Sequence, residues 1–341
     1  MQTIIVTGGA GYIGSHTIIE LLQNTNYNVV SVDNFSNSNS KSYDRINAIT
    51  NKKFDTINID LCNLESINTH LSKYKDIVGI IHFAAFKAVG ESMVKPLLYY
   101  NNNLNSLTNL LQFCNDNSIS NFIFSSSCSV YGNATELPVT EQTPLAKAES
   151  AYGHTKQVGE ELISFFCKAN PTFKTVLLRY FNPVGAHVSG TIGEFPINPP
   201  SNLVPIITQT ALGKNSLTVF GNDYDTRDGS CIRDYIHVTD IADAHLKALN
   251  YLVKNKNKTA CSLFNLGTGN GVSVIEAIQS FEKVSGLKLN YKIGARRDGD
   301  VIAVYANNTL AKTELSWSPK YNIDDMMLSA WKWQQYLENE K

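Results

Sequence analysis

The chain has 341 residues, of which 43% are hydrophobic, 17% are charged and 10% are aromatic. This length suits about two domains and a core that needs no disulfide or metal ion to hold it together. The low charge and the aromatic content exclude a mostly disordered chain. With 29 basic and 30 acidic residues, the net charge of −1 also argues against a nucleic-acid partner bound through bulk electrostatics.

The sequence pattern contains no signal for export, membrane insertion or metal binding. Residues 3–7 enter a strand pattern at once, which leaves no room for a signal peptide. The longest apolar stretch, residues 77–86, is too short to span a bilayer. The six cysteines form no CxxC pair and the histidines lack ligand spacing. We therefore expect a cytoplasmic protein with no membrane partner and no metal ion.

Short apolar runs alternate with helical patterns through the first half of the chain. Apolar residues at helical spacing predict helices over Leu97–Asn115 and Val158–Phe166. Strands that alternate with such helices indicate an α/β fold with a Rossmann-like, doubly wound parallel sheet. The predicted strands are Thr3–Thr7, Asn28–Val32, Phe54–Ile59, Val78–Phe83, Asn121–Ser125 and Thr175–Arg179.

The pattern changes after residue 181, where prolines become frequent. Positions 183, 196, 199, 200 and 205 are all proline. We therefore predict a dinucleotide-binding domain over residues 1–181 and a smaller C-terminal α/β domain, which binds the substrate, over residues 182–341. Within the second part, Ser262–Leu266 and Val272–Val284 are predicted as a strand and a helix that either return to the main sheet or support the smaller domain.

A glycine-rich turn joins the first predicted strand to the first predicted helix. Gly8, Gly11 and Gly14 have a spacing that lets backbone N–H groups and a helix N-terminus approach a pyrophosphate. Asp33 ends the second strand, where a carboxylate would bind an adenosine ribose and repel a 2′-phosphate, which favours NAD over NADP. A tight turn without a ligand is the alternative, but the strand, turn, helix and acid all occur in register.

A tyrosine and a lysine stand four residues apart, so Tyr152 and Lys156 share one helical face. Serines 125–127 end the fifth predicted strand, at the edge where doubly wound sheets bind ligands. A tyrosine with a pKa of about 10 acts as a base near pH 7 only after a drop of roughly 3 units, or ~4 kcal/mol. One positive charge at ~4 Å supplies about that much at an effective dielectric of ~20. Lys156 is one such charge and an oxidised nicotinamide ring is a second. By itself, the four-residue spacing of Tyr152 and Lys156 is typical of two exposed side chains on a helix. Together with the glycine turn and the serines, it indicates a catalytic pair.

The glycine turn, the serines and the Tyr-xxx-Lys pair together resemble the extended short-chain dehydrogenase/reductase family. Four longer blocks, residues 7–16, 86–92, 178–187 and 233–238, are similar to the branch of that family that epimerises UDP-sugars at carbon 4. The resemblance runs from residue 3 to about residue 317. It implies reversible interconversion of UDP-glucose and UDP-galactose in galactose metabolism, through a 4-keto intermediate and transient hydride transfer to tightly bound NAD.

The resemblance also implies roles for single residues. Tyr152 would take the hydroxyl proton, Ser127 would bond the same oxygen, and Lys156 would hold the nicotinamide ribose. Arg233 and Arg297 would bind the diphosphate, since the guanidinium fork suits phosphate oxygens. NAD would contact Gly8, Gly11, Tyr12, Ile13, Gly14, Asp33, Asn34, Asp60, Leu61, Phe83, Lys87, Asn102, Tyr152, Lys156 and Tyr180. The UDP-sugar would contact Lys87, Ser127, Tyr152, Phe181, Asn182, Asn202, Leu203, Phe220, Arg233, Tyr235, Arg297, Asp300 and Val304.

Val304 bears on the substrate range. In the family the matching position is a bulky tyrosine in some members and a small residue in others, and a small residue leaves space for a 2-N-acetyl group. We therefore expect UDP-N-acetylglucosamine and its galacto epimer to be substrates as well. A shift of the alignment by one residue would place Tyr305 there instead.

Other functions of the same fold fit these residues less well. A 4,6-dehydratase would carry an acid pair where Ser127 and Cys128 stand, and a hydroxysteroid dehydrogenase would not need the two arginines. A catalytically silent NAD-binding sensor or scaffold of the same fold is the main alternative, although the intact Ser, Tyr and Lys argue against it. For Asp60, capping the next helix is as reasonable a role as binding adenine.

The resemblance further implies a homodimer. Helices around Leu104–Leu111 and Val158–Phe166 would pair with their copies across a two-fold axis. Their apolar stripes alone do not distinguish an interface between subunits from the core of one subunit.

Overall fold

Strands of branched apolar residues alternate with amphipathic helices in the computed structural model, which describes residues 2–195, 197, 200, 202–297 and 300–340. The strands are β1 (Thr3–Thr7), β2 (Asn28–Val32), β3 (Asp55–Ile57), β4 (Ile77–His82), β5 (Asn121–Ser127), β6 (Lys174–Tyr180), β7 (Asn182–Val184), β8 (Leu217–Phe220), β9 (Ile232–Arg233), β10 (Tyr235–His237), β11 (Cys261–Leu266), β12 (Val272–Ser273), β13 (Tyr291–Gly294) and β14 (Ala303–Val304).

The helices cover the sheet and build most of the C-terminal part. They are α1 (Tyr12–Asn24), α2 (Lys41–Thr50), α3 (Leu64–Leu71), α4 (Val89–Val94), α5 (Pro96–Asp116), α6 (Ala151–Ala169), α7 (Leu203–Ala211), α8 (Val238–Val253), α9 (Val274–Ser285), α10 (Thr309–Glu314) and α11 (Ile323–Asn339), with a short 3-10 helix over Cys128–Tyr131. Within the described ranges, none of the helices combines the length with the apolar character that a membrane span requires.

Seven strands form the central sheet in the order β11-β6-β5-β4-β1-β2-β3, and all neighbours in it run parallel. The predicted Rossmann-like sheet is therefore confirmed. The strand order reverses between β1 and β4, which opens a crevice at their carboxyl ends. Strand β3 is shorter than predicted because this edge strand pairs with β2 only from Asp55 to Ile57.

The two faces of the sheet bury separate apolar layers. Successive residues of a strand point to opposite faces, so Ile4 packs with Ile18 of α1 on one face. Ile5 packs with Leu107 of α5 and Ile163 of α6 on the other. Full burial of such a side chain contributes about 1.5–3 kcal/mol, which makes these layers the main source of stability.

A late part of the chain returns to the central sheet. Strand β11 pairs with β6 from Cys261 opposite Thr175 to Leu266 opposite Tyr180, and α8 packs against α1. Helix α9 instead packs with α7 and α11 around Phe281 in a third apolar cluster. The C-terminal residues are thus divided between the sheet and a smaller unit at its carboxyl edge.

Buried histidines make the fold sensitive to acid. His82 and His245 are buried within the sheet layers, and burial lowers the pKa of His82 to about 3 and that of His245 to about 4. Unfolded histidine has a pKa of about 6.5, so below that pH the unfolded chain binds protons that the folded chain does not. The stability these groups contribute is complete above about pH 6.5 and is lost as the pH falls towards their folded pKa values.

We expect the free energy of unfolding to fall between pH 7 and pH 5, by about 2 kcal/mol for each such histidine. His82→Leu should reduce this difference in unfolding free energy between the two pH values by about that amount, because it removes one titrating group. The exposed His70 is a matched control, and His70→Leu should leave the difference unchanged. Urea unfolding at the two pH values measures this, and equal stability at both would contradict it.

Candidate active site

The glycine turn lies at the crevice between β1 and β4. Gly8 has a φ of +69°, and a Cβ on it would lie 2.7 Å from the backbone nitrogen of Ala84. A Cβ on Gly14 would lie 2.3 Å from the carbonyl oxygen of Gly8. Helix α1 starts at Tyr12 after the N-cap Gly11, and within α1 there is neither a side-chain cap nor an acidic residue in the first turn. Its N–H groups and positive dipole end are therefore free to bind an anion such as a pyrophosphate.

Asp33 is buried beside this turn at the end of β2. Its Oδ2 accepts a hydrogen bond from the Ala10 N–H at 2.9 Å, and its Oδ1 accepts from the Phe35 N–H at 2.9 Å and the Ser38 hydroxyl at 2.7 Å. The neighbouring Asn34 is exposed. These bonds hold the Asp33 carboxylate at the rim of the turn, where the sequence predicts a ribose contact.

The helix-cap alternative for Asp60 does not hold in the structure. Asn63 caps α3, because its side chain accepts a hydrogen bond from the Ser66 N–H at 2.9 Å. Asp60 instead accepts from the Cys62 N–H in the preceding loop. Leu61 buries its side chain in the core, so only its backbone is available to a ligand.

Ser127, Tyr152 and Lys156 meet at the carboxyl edge of the sheet. Ser127 ends β5, and the other two lie one turn apart on α6. The ammonium of Lys156 donates a hydrogen bond to the Ser125 carbonyl at 2.7 Å and lies 5.9 Å from the centre of the Tyr152 ring. All three predicted catalytic side chains are buried. The structure therefore brings Ser127 close to Tyr152 and Lys156, although they lie on separate elements of the chain.

Burial sets the protonation of this set. It raises the pKa of Tyr152 to about 12, although a hydrogen bond with Ser127 acts in the opposite direction. It also lowers the pKa of Lys156 to about 8, against the negative charge of Glu160. The expectation that Lys156 brings the Tyr152 pKa down is therefore not met by the chain alone, because desolvation outweighs one ammonium 5.9 Å from the ring. A positively charged group bound beside the Tyr152 ring would lower this pKa.

Two aromatic residues predicted for the cofactor side surround a buried histidine. The rings of Phe83 and Tyr180 lie 4.5 and 6.2 Å from the ring of His245. The Nε2 of His245 pairs with the Ser125 hydroxyl at 3.1 Å. His245 therefore supports the strand end that holds Lys156, and sequence reasoning missed it because α8 lies far from β5 in the chain.

Two further supporting residues were also missed. Asn103 accepts from the Phe86 N–H at 2.9 Å and donates to the Phe86 carbonyl at 3.1 Å and to the Thr155 hydroxyl at 3.2 Å. It thus ties the loop before Lys87 to the catalytic helix, and its neighbour Asn102 donates to its side-chain oxygen. Asp234 is buried and accepts from backbone N–H groups of residues 268, 269 and 306. The available signal for Asp234 was a carboxylate directly before the largely apolar residues 235–238.

A cavity of about 340 Å³ collects most of the predicted substrate residues. The guanidinium of Arg297 lies 3.7 Å from the centre of the Phe220 ring. Arg233 donates to Asp300 at 3.4 Å and to the Val301 carbonyl at 2.6 Å. The predicted substrate residues in its wall are Asn182, Asn202, Leu203, Phe220, Arg233, Tyr235, Arg297 and Asp300.

Other predicted substrate residues lie outside this wall. Phe181 and Val304 are buried in an apolar cluster with Tyr131 and Val139. Lys87 lies on the cofactor side, where its ammonium is 5.9 Å from the centre of the Tyr12 ring. The predicted substrate contacts are therefore divided among the cavity, the catalytic set, this apolar cluster and the cofactor side.

A parallel sheet with a glycine turn at its switch point and a buried Ser-Tyr-Lys set defines an enzyme of the short-chain dehydrogenase/reductase type. A family model described as GDP-mannose 4,6 dehydratase matches residues 5–329. The UDP-glucose 4-epimerase of Drosophila melanogaster is 46% identical, with 99% of this chain and 97% of that protein covered.

Two solved structures extend the comparison. The UDP-glucose 4-epimerase of Bifidobacterium longum in complex with NAD+ and UDP has a TM-score of 0.94 and 42% identity, with 100% of both chains covered. The UDP-Glc/GlcNAc 4-epimerase of Campylobacter jejuni has a TM-score of 0.84 and 37% identity, with 98% of this chain and 99% of that chain covered. The chain belongs to the UDP-glucose 4-epimerase family, a branch of the extended short-chain dehydrogenases/reductases.

Proposed function

We propose that this protein reversibly epimerises UDP-glucose and UDP-galactose at carbon 4, with NAD as its cofactor, and so serves galactose metabolism. The observation that carries the proposal is the position of the buried Ser127, Tyr152 and Lys156 between an anion-accepting glycine turn and a cavity rich in arginine. The first site suits a dinucleotide and the second a nucleotide diphosphate.

The residues present fit NAD. The uncapped start of α1 would bind the pyrophosphate, and a Cβ at Gly8 or Gly14 would collide with the turn. The Asp33 carboxylate would bind the adenosine ribose and would repel the extra phosphate of NADP. When bound, NAD supplies the acceptor and later the donor of the hydride at carbon 4.

The protein residues move the proton. The phenolate of Tyr152 takes the proton of the carbon-4 hydroxyl while the hydrogen of carbon 4 leaves as hydride, which produces a ketone. The Ser127 hydroxyl donates a hydrogen bond to that oxygen, and the Lys156 ammonium stabilises the phenolate. When hydride returns to the opposite face of the ketone, Tyr152 gives its proton back to the oxygen and the second epimer is formed.

The anchoring of the nucleotide explains how one pocket can serve both faces of the sugar. Arg233 and Arg297 would bind the diphosphate, and Asp300 would bind the uridine ribose. Phe220 or Tyr235 would pack beside the uracil. Because these contacts hold the UDP end, the sugar is free to turn about its linkage between the two hydride transfers.

Tyr152→Phe tests the proposed base directly. Loss of the hydroxyl should lower turnover about 10²- to 10⁴-fold, which is the usual contribution of general acid–base catalysis. Tyr100→Phe is the control, because the Tyr100 hydroxyl pairs with His154 rather than with the catalytic set. Proton NMR of the sugar during incubation with UDP-galactose measures the rates. Equal turnover in the unmodified protein and Tyr152→Phe would support a different base, and no turnover in the unmodified protein would support the silent sensor.

Val304 would extend the substrate range to UDP-N-acetylglucosamine and its galacto epimer. The Campylobacter jejuni relative is named for both sugar types, and Val304 occupies a buried apolar position beside Phe181. Val304→Tyr should cut turnover of the N-acetyl sugars about tenfold or more relative to UDP-galactose, because the ring fills space that the acetyl group needs. Val188→Tyr, at an exposed position, is the control. An unmodified protein that converts UDP-galactose but no N-acetyl sugar would contradict this extension.

We also infer a homodimer from the apolar side chains that α5 and α6 leave exposed. Leu97 is 74% exposed and Phe165 is 62% exposed, and the two helices pack side by side. Analytical ultracentrifugation should give twice the chain mass of 37.7 kDa, and Phe165→Glu should return the mass to one chain. Leu328→Glu, on α11, should leave the dimer intact. A single-chain mass for the unmodified protein at micromolar concentration would contradict the inference.

The two predicted domains would bind different ligands. We propose that residues 1–181 bind NAD, with α8 and β11 as later additions to the same sheet, and that most of residues 182–341 bind the UDP-sugar. All six cysteines are free thiols, which is typical of proteins in the reducing cytoplasm.

A further inference from the structure

Glu194 lies where the cofactor-side and the substrate-side residues meet, and the sequence predicted no role for it. Its side chain is only 14% exposed, and it belongs to the wall of the 340 Å³ cavity. The Trp333 indole donates a hydrogen bond to its carbonyl at 2.8 Å. The preceding Gly193 pairs with Ala186 in an isolated bridge. The backbone of Glu194 is therefore fixed from two directions.

One oxygen of the Glu194 carboxylate joins the two sides. It accepts a hydrogen bond from the Lys87 ammonium at 3.1 Å and from the Asn202 amide at 2.9 Å. Lys87 follows β4 on the cofactor side, and Asn202 is the N-cap of α7 on the substrate side. Burial raises the pKa of Tyr12, at the start of α1, and the negative charge of Glu194 raises it further. A single carboxylate therefore contacts one residue from each of the two proposed binding sites.

Lys87 depends on this contact for its position. Its side chain is 49% exposed, so without a partner the long lysine chain would sample many rotamers in solvent. Its other near neighbour is the ring of Tyr12, 5.9 Å away. Because the Lys87 end of the ion pair is half exposed, solvent screens the pair and it contributes little to folding. Its loss should therefore disturb the site without unfolding the protein.

We propose that Glu194 is a positioning residue that holds Lys87 and Asn202 at a fixed separation across the cleft, and so couples the NAD side to the UDP-sugar cavity. Glu194 acts through these two side chains and takes no part in the proton or hydride transfer. The inference rests on the proposed function of the same site and deepens it. It assigns the assembly of the cleft to a residue outside the catalytic set.

Glu194→Gln is the direct test, because it keeps the size and an acceptor oxygen but removes the charge. The measurements are kcat and KM for UDP-galactose, UDP affinity by calorimetry on the NAD-loaded protein, and thermal stability. We expect kcat/KM and UDP affinity each to fall about tenfold while the Tm stays within about 2 °C. Glu314→Gln, at the end of α10, is the matched control, since it breaks a surface ion pair with Lys258 and should change nothing in the site.

A double-mutant cycle with Lys87→Met separates positioning from a merely structural role. If Glu194 acts through Lys87, Glu194→Gln has a much smaller effect in the Lys87→Met background than in the unmodified protein. An equal effect in both backgrounds would overturn the inference. So would UDP affinity and kcat/KM that stay within about twofold of the unmodified protein.

The activity measurements and the UDP-binding measurements distinguish a failure of this inference from a failure of the proposed function. An unmodified protein that fails to interconvert the sugars would refute the epimerase activity. The UDP affinities of the four proteins in the cycle would still decide whether Glu194 positions Lys87.

Discussion

The burial of Lys156 against the Ser125 carbonyl is the interaction on which the rest of the site depends. It places a positive charge where water is excluded, close to the Tyr152 ring. Burial also makes each charge costly, which raises the pKa of Tyr152 to about 12 and lowers that of Lys156 to about 8. The pair is therefore poorly suited to base catalysis alone, and a cationic group bound beside it would bring the phenol into range. The reactivity of Tyr152 would then depend on whether that cationic group is bound.

The functional residues come together at the carboxyl edge of the central sheet. The carboxyl ends of β1, β4 and β5 lie side by side in the parallel sheet, so the glycine turn and Ser127 come close although they are far apart in the chain. Helix α6 then adds Tyr152 and Lys156 from one face. The C-terminal unit adds the arginine-rich cavity at the same edge. In the proposed mechanism, different parts of the chain carry the chemistry and the anchoring, so the sugar can move while its nucleotide stays bound.

The sequence predicts features that are local or periodic. The bounds of β1 and β2 and the glycine turn follow from alternation and glycine spacing, and the resemblance adds the roles of Tyr152 and Lys156. The edge strand β3 was predicted too long because apolar residues continued past the point where pairing ends. The helix-cap alternative for Asp60 was open until the structure showed Asn63 in that role.

The features that sequence reasoning missed depend on distant partners. Glu194 contacts Lys87, and Asn103 contacts Thr155, across long separations in the chain. His245 lies on a helix whose inward face is mostly apolar, and its partner is a serine on β5. The balance between desolvation and charge at Tyr152 also needs the actual depth of burial, which residue spacing does not give. These are properties of the packed protein rather than of any segment.

Epimerisation in deuterium oxide is the most direct test of transient oxidation at carbon 4. If the hydrogen leaves and returns as hydride inside the pocket, only the hydroxyl proton exchanges with solvent. NMR of the product should then show protium at carbon 4 after many turnovers. Deuterium at carbon 4 in proportion to turnover would mean that the hydrogen is removed as a proton, and would contradict the proposed mechanism.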